Sequence, residues 1–202
     1  MIDLIAIFVL FFAVIDPIGT VPVFIAVTRH QNPAEKRRTA LKATLVASVI
    51  LVFFVLAGEQ ILESLDIPLS AFQVSGGIIL FLFALTMIFG DSKPESEIKS
   101  IKNTTEIAIF PMAMPSIASP GAMLAVVLLT KNSEHSIWEQ IQSSFMMISV
   151  LAIVLVLLLL STKVHKIIGN AGASVISRVM GLILSSVAVA NVIEGVKESF
   201  ML

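Results

Sequence analysis

Six long apolar stretches divide the chain, and a short polar or charged segment separates each from the next. Their approximate ranges are 2–27, 40–57, 68–89, 107–130, 137–160 and 174–196. About 20 helical residues cross the roughly 30 Å hydrocarbon core of a bilayer. Only helices and closed barrels satisfy the backbone polar groups there. The pattern therefore predicts an all-α, polytopic membrane protein with six transmembrane helices, called spans 1 to 6 here.

The composition supports a bilayer as the solvent. Hydrophobic residues make up 57% of the 202 and charged residues 13%, with a mean hydropathy of +1.01, which is too apolar for a water-soluble domain. A net charge of -1, with thinly spread basic residues, gives no reason to expect a nucleic-acid partner. The absence of cysteine excludes thiol chemistry and Cys-ligated metals. We expect no cofactor and no metal, and a homo-oligomer stays open.

Basic residues are distributed unequally between the two ends of the predicted spans. The connections after spans 1, 3 and 5, with their flanking turns, hold eleven: Arg29, Lys36, Arg37, Arg38, Lys42, Lys93, Lys99, Lys102, Lys163, Lys166 and Arg178. The opposite side holds only Lys131 and Lys197. Because cytoplasmic loops are enriched in Lys and Arg, these three connections are predicted to be cytoplasmic. Both termini then lie outside the cell (inner) membrane.

The chain contains an internal repeat. Asp16-Pro17 stands 61 residues before Gly77, and Ser119-Pro120 stands 62 residues before Gly181. The predicted units are residues 1–90 (repeat one) and 107–202 (repeat two), joined by a cytoplasmic linker at 91–106. Three spans per unit is an odd number, so the two repeats would be inverted, as in many secondary transporters. A chance likeness of two apolar halves is the alternative.

Prolines and small residues interrupt spans 1 and 4. The interruptions read IDPIGTVP at 15–22 and PMAMPSIASPGA at 111–122. Each proline removes a backbone donor and clashes with the preceding turn, so neither stretch is predicted to be a continuous helix. Unpaired backbone at membrane depth is tolerated only against protein or a water-filled cavity. We therefore expect the two breaks to meet at one shared site.

In each break a capping residue is directly followed by proline. Asp16-Pro17 and Ser119-Pro120 match the N-cap and first position of a new helix. The Asp16 carboxylate could receive an ammonium group, and the helix that follows neutral Ser119 could receive a carboxylate at its N-terminus. Together they suit a small zwitterion. The candidate substrate-binding residues are Asp16, Pro17, Gly19, Thr20, Ser116, Ser119, Pro120 and Gly121.

Purely structural roles remain open for these residues. Proline kinks without a ligand are common in membrane helices, and small hydroxyls often bond only to backbone. Asp16 is the strongest functional candidate, because a carboxylate near the bilayer centre costs about 2.5–3.5 kcal/mol on insertion scales. Asn191 either faces a cavity or bonds to a neighbouring helix.

Other polar and small positions are weaker candidates. Gly77 and Gly181 favour close helix packing over ligand contact. His30, His135 and His165 are predicted in loops or at helix ends, where they are poor candidates for a buried metal site or a proton relay.

The segments DPIGTVPVF at 16–24 and PMAMPSIASPGAM at 111–123 closely resemble the two signature stretches of the MarC family of six-helix membrane proteins. The likeness extends over the whole chain, including SGGIILF and MGLIL in spans 3 and 6. Members of that family are described as transporters of small neutral amino acids such as glycine and alanine, which is what the resemblance implies here. Thr20 and Ser119 depart from the asparagine and glycine frequent at those positions, which keeps the predicted site small and polar but alters its hydrogen-bond donors and acceptors.

The leading functional prediction is a secondary transporter of small neutral amino acids that works by alternating access around a midplane site. A proton or sodium ion is the expected coupling ion. The chain has no GxxxxGK[ST] motif, so direct ATP hydrolysis is not expected. An enzyme is not expected, because no histidine lies inside a span and Asp16 is the only intramembrane aspartate. A pore, or an accessory membrane subunit without carrier activity, is the alternative.

Overall fold

The structure is a computed structural model that describes residues 3–89, 104–132 and 135–200. Within these residues the chain is helical, with no strand. The segment Ala108–Ile117 contains two residues with non-helical backbone, and we call it the irregular segment. The helices are α1 Leu4–Ile15, α2 Pro17–Val27, α3 Pro33–Ser64, α4 Leu69–Phe89, α5 Thr104–Ile107, α6 Pro120–Leu129, α7 Ile137–Leu159 and α8 Ser161–Phe200.

The described helices confirm an all-α membrane fold. Spans 1, 2, 3, 5 and 6 correspond to apolar helical stretches long enough to cross a bilayer, and span 1 is formed by α1 and α2 together. Span 4 is a bent pair, Thr105–Ile117 followed by Pro120–Leu129, with an angle of 58° between its halves. Counting that pair as one crossing gives the predicted six. Most of the predicted linker at 91–106 lies outside the described residues.

Span 2 is longer than the apolar pattern indicated. α3 has 32 residues, about 48 Å at 1.5 Å per residue, which exceeds the hydrocarbon core. It begins with a capping box, in which the Asn32 side chain accepts from the Glu35 amide at 3.0 Å and the Glu35 carboxylate accepts from the Asn32 amide at 2.9 Å. The charged residues that follow Glu35 are good helix formers, so the helix extends beyond the membrane.

The connection between spans 5 and 6 is helical, whereas the sequence pattern suggested a loop. α8 begins at Ser161, directly after α7, and its only non-helical residue is Gly169, with φ 64° and ψ 176°. His165 therefore lies within a helix rather than in a loop. A positive φ is accessible to glycine at little cost, which explains why the change of direction falls at that residue.

α4 and α8 pack closely through glycines. A Cβ atom placed on each glycine would lie 2.7–3.0 Å from a backbone carbonyl oxygen of the other helix, so these backbones touch. The three pairs are Gly77 with Ala188, Gly181 with Ala84, and Gly195 with Ser70. Because successively later residues of α4 contact successively earlier residues of α8, the two helices run antiparallel.

Elements of the first half of the chain pack against elements of the second half in corresponding pairs. α1 packs against α7, and the irregular segment packs against α3; α2 packs against α8, and α6 packs against α4. The core lies along the two broken spans, with fully enclosed side chains at Phe11, Ile15, Phe24, Met112 and Ile117. Spans 1 and 4 therefore form the centre of the bundle.

Candidate functional site

Span 1 breaks at Asp16. The residue has a left-handed backbone, φ 48° and ψ 67°, which Asp tolerates better than most residues. Its amide donates to the Phe12 carbonyl at 3.1 Å, ending α1, and its carboxylate accepts from the Gly19 amide at 2.9 Å, starting α2. Pro17 occupies the first helical position. The predicted cap followed by proline is confirmed.

Span 4 breaks over a longer stretch. Phe110 and Met114 have extended backbones, each followed by a cis peptide bond to proline. Helical structure resumes after Ser119, whose hydroxyl accepts from the Ala122 amide at 3.1 Å, with Pro120 in the first helical position. The second predicted cap is confirmed, and it has the same spacing from cap to amide as the first.

The two breaks meet in space, as expected from the sequence. The Ser119 hydroxyl donates to the Val14 carbonyl at 2.9 Å, across 105 positions of sequence. Val14 belongs to the last turn of α1, where carbonyls lack a partner within the helix. One side chain thus caps the start of α6 and the end of α1, and we call this contact and its surroundings the junction.

The junction is closed in this structure. Relative exposures are 9% for Asp16, 2% for Thr20, 3% for Ser116 and 0% for Ser119. The Thr20 hydroxyl donates to the Asp16 carbonyl at 2.9 Å, and the Ser119 hydroxyl is engaged as described. Thr20 and Ser119 therefore have the backbone-bonding role that the sequence left open.

A cavity of about 380 Å³ leads to the junction from one end of the bundle. Its inner end is formed by Val14, Leu80 and Gly121, and a Cβ on Gly121 would collide with Leu80. Gly121 is the only one of the eight predicted site residues that lines the cavity. The other seven do not line it, and Ser119 is connected to the lining through its hydrogen bond to the Val14 carbonyl.

The mouth of the cavity lies at the end of the bundle that holds the α3–α4 connection, the α6–α7 connection and the last turns of α8. We call this the outer end. Lys131, His135, Glu194 and Glu198 line it, giving charges of both signs. Glu194 also contacts Lys197 at 3.8 Å. His135, predicted in a loop, is therefore part of the cavity entrance. The described residues contain no cluster of three or more His, Cys, Asp or Glu that could hold a metal.

Two amide side chains line the cavity between its mouth and its inner end. One is Asn191 of α8, which therefore faces a cavity, one of the two roles left open for it. The other is Gln73 of α4, which was not singled out in the sequence. Gln73 could have been found as an amide within an otherwise apolar span, four residues before Gly77. Its burial depends on the packing of α4 against α8, which the sequence pattern does not reveal.

These features define a class: a polytopic helical membrane protein in which two broken spans meet at the inner end of a cavity. The sequence matches the family described as MarC family integral membrane protein over residues 1–200. The chain belongs to that family.

Curated relatives cover nearly its whole length. A UPF0056 membrane protein of Buchnera aphidicola subsp. Schizaphis graminum is 32% identical over 194 residues, which cover 96% of this chain and 91% of the relative. A UPF0056 membrane protein of Methanocaldococcus jannaschii is 33% identical, covering 94% of each. The UPF0056 inner membrane protein YhgN of Escherichia coli K12 is 30% identical, covering 96% of each. No solved structure matches the chain.

Proposed function

We propose that this protein is a secondary transporter of small neutral amino acids, coupled to a proton or a sodium ion, and not an enzyme. The observation that carries the proposal is the Ser119 to Val14 hydrogen bond, which brings two helix breaks together at the inner end of a cavity. Broken helices that meet near the bilayer midplane are the usual binding site of secondary transporters. The chain needs no resident cofactor for this activity.

Inverted repeats would supply the alternating access. Gly77 and Gly181 are 104 positions apart, and so are Ala84 and Ala188. The contact of Gly77 with Ala188 in one half therefore corresponds to the contact of Gly181 with Ala84 in the other. Equivalent helices α4 and α8 run antiparallel, which is the relation expected of inverted units. The matched packing of α1 on α7 and of the irregular segment on α3 supports the same symmetry.

The junction would be the moving part. In the present conformation the cavity is open at the outer end and ends at Val14, Leu80 and Gly121. Opening the Ser119 to Val14 contact would uncover the N-terminus of α6 for a carboxylate and bring the Asp16 carboxylate within reach of an ammonium group. A zwitterion would bind to both, and reclosure on the outer side would release it inward.

The orientation follows from the charge distribution. We place the outer end of the cavity, together with both chain termini, outside the cytoplasm, and the connections after spans 1, 3 and 5 inside. The Escherichia coli relative is named an inner membrane protein, and we propose the same membrane for this chain.

Counterflow of labelled glycine or alanine in reconstituted vesicles tests the proposal. We expect saturable exchange that is abolished in Asp16→Asn, because asparagine preserves the cap and tolerates the left-handed backbone but lacks the charge. Asp66→Asn is the matched control, because Asp66 is exposed and also has a positive φ of 51°. Linear, non-saturable flux would instead identify a pore, and no flux with any amino acid would refute the transporter.

A further inference from the structure

Two side-chain amides face the cavity without a hydrogen-bond partner in the part of the chain that the structure describes. Gln73 is 9% exposed, and among the described residues no hydrogen bond reaches its side chain; the same holds for the partly exposed Asn191. Neither amide is among the buried polar atoms that lack a partner, so both remain accessible to a solute, to which an amide can donate and from which it can accept. An amide that lines a cavity, belongs to a residue that is only 9% exposed and has no described protein partner is therefore a candidate for contact with a ligand.

The register of α4 and α8 puts the two amides at the same height in the cavity. Gly77 lies opposite Ala188 on the inner side, and Gly195 lies opposite Ser70 on the outer side. Gln73 and Asn191 fall between these two contacts, on antiparallel helices that touch. Along the cavity, both lie between its inner end and its charged mouth.

We propose that Gln73 and Asn191 form an outer recognition pair that binds the zwitterionic amino acid before it reaches the junction. The proposal rests on the transport function proposed above. Each amide has a carbonyl oxygen that accepts from an ammonium group and an NH₂ group that donates to a carboxylate, so the pair recognises both ends of an amino acid. Because neither amide is charged, the ligand is held weakly enough to move on.

The cavity entrance favours the same class of ligand. Glu194 and Glu198 are acidic, and Lys131 and His135 supply basic groups at the same mouth. A single-sign ligand would meet repulsion from part of this ring, whereas a zwitterion would not. The volume of about 380 Å³ is near the lower end of the range for small-molecule pockets, which suits a small solute accompanied by water.

Transport kinetics provide the first test. Gln73→Leu and Asn191→Leu keep side-chain bulk but remove the donors and acceptors, so we expect KM for alanine to rise about tenfold while the maximal rate stays within about twofold. Ser75→Ala is the matched control, because Ser75 is on the exposed face of α4 and bonds to the Phe72 carbonyl. An unchanged KM in both leucine variants, with normal transport by the unmodified protein, would overturn the pair and leave the transporter intact.

Thiol protection gives a second test that does not require the leucine variants to fold. The chain has no cysteine, so Asn191→Cys introduces a single thiol. We expect a membrane-impermeant thiol reagent added outside to modify it, and saturating alanine to slow the reaction at least fivefold. A thiol that does not react, or one that alanine leaves equally reactive, would refute the pair. Absence of transport by the unmodified protein would be the distinct failure of the transport proposal.

Discussion

Asp16 combines two local roles, because its backbone turns left-handed and its carboxylate caps α2. Asparagine can perform both roles, whereas alanine can perform neither. We expect Asp16→Ala to lower the free energy of unfolding by about 2 kcal/mol, from the lost cap and the left-handed backbone, and Asp16→Asn to stay within about 0.5 kcal/mol of the unmodified protein. Thermal unfolding in detergent measures both. Equal losses in the two variants would show that the charge itself stabilises the fold.

Ser119 links the two broken spans through one hydroxyl. In Ser119→Ala the Ala122 amide loses its cap and the buried Val14 carbonyl loses its donor. A lost cap costs about 1 kcal/mol, and an unsatisfied buried carbonyl about 1–3 kcal/mol, so we expect a loss of about 2–4 kcal/mol. Ser75→Ala, which removes only a bond to its own helix, is the control for the same unfolding measurement. A loss no greater than that of the control would contradict the junction.

Residue roles were predictable from the sequence where they depend on local chemistry. Asp16 and Ser119 could be identified as caps because each precedes a proline within an apolar span, and both cap the expected amide. The bond from Ser119 to Val14 could not be predicted, since it depends on how spans 1 and 4 pack. Gln73 was missed for the same reason, because only the packing of α4 on α8 makes it cavity-lining.

At the scale of elements, the contact between α4 and α8 depends on glycine. A methyl group at Gly77 or Gly181 would press on a backbone carbonyl of the opposite helix. We expect Gly77→Ala and Gly181→Ala each to cost about 1–3 kcal/mol, the usual range for overpacking. Chemical unfolding in mixed detergent measures the loss.

The matched control for these glycines is Gly76→Ala. The three atoms nearest to its added methyl group all belong to the Leu124 side chain, which lines the cavity, and none is backbone. We expect this variant to lose clearly less stability than Gly77→Ala. The opposite ranking would mean that α4 and α8 are not held by the backbone contact described here.

Element boundaries were less predictable than the elements themselves. Apolar length located every span, but it placed the start of α3 at 40 and a loop after 160. The structure begins α3 at Pro33 and continues helix from Ser161. Polar residues that favour helix extend both elements beyond the hydrocarbon, where hydrophobicity no longer marks the boundary. The apolar pattern therefore indicates which residues lie in the membrane more directly than it indicates where a helix begins or ends.

At the scale of the whole molecule, the cavity is lined by only one of two leucines at equivalent positions of the predicted repeats. Leu80, which is 1% exposed, lines the inner end of the cavity, whereas Leu184, 104 positions later and 0% exposed, does not line it. If the halves are inverted repeats, exchanging their conformations would remove Leu80 from the cavity lining and open a second cavity, at the other end of the bundle, that reaches Leu184. For the opposite conformation we therefore expect Leu184, and not Leu80, to line a cavity.

Single-cysteine accessibility tests that exchange. A small charged thiol reagent should modify Leu80→Cys only from outside in right-side-out vesicles, and Leu184→Cys only from the cytoplasmic side in inverted vesicles. A substrate gradient that favours one conformation should raise the reactivity of one thiol and lower that of the other. Leu51→Cys is the control that should react from neither side, because Leu51 is fully buried on α3 away from the cavity.

A pore would leave both test positions reactive from both sides, and a static bundle would never expose Leu184→Cys. Either result would contradict alternating access, since only exchange between two inverted halves makes equivalent residues accessible from opposite sides of the membrane.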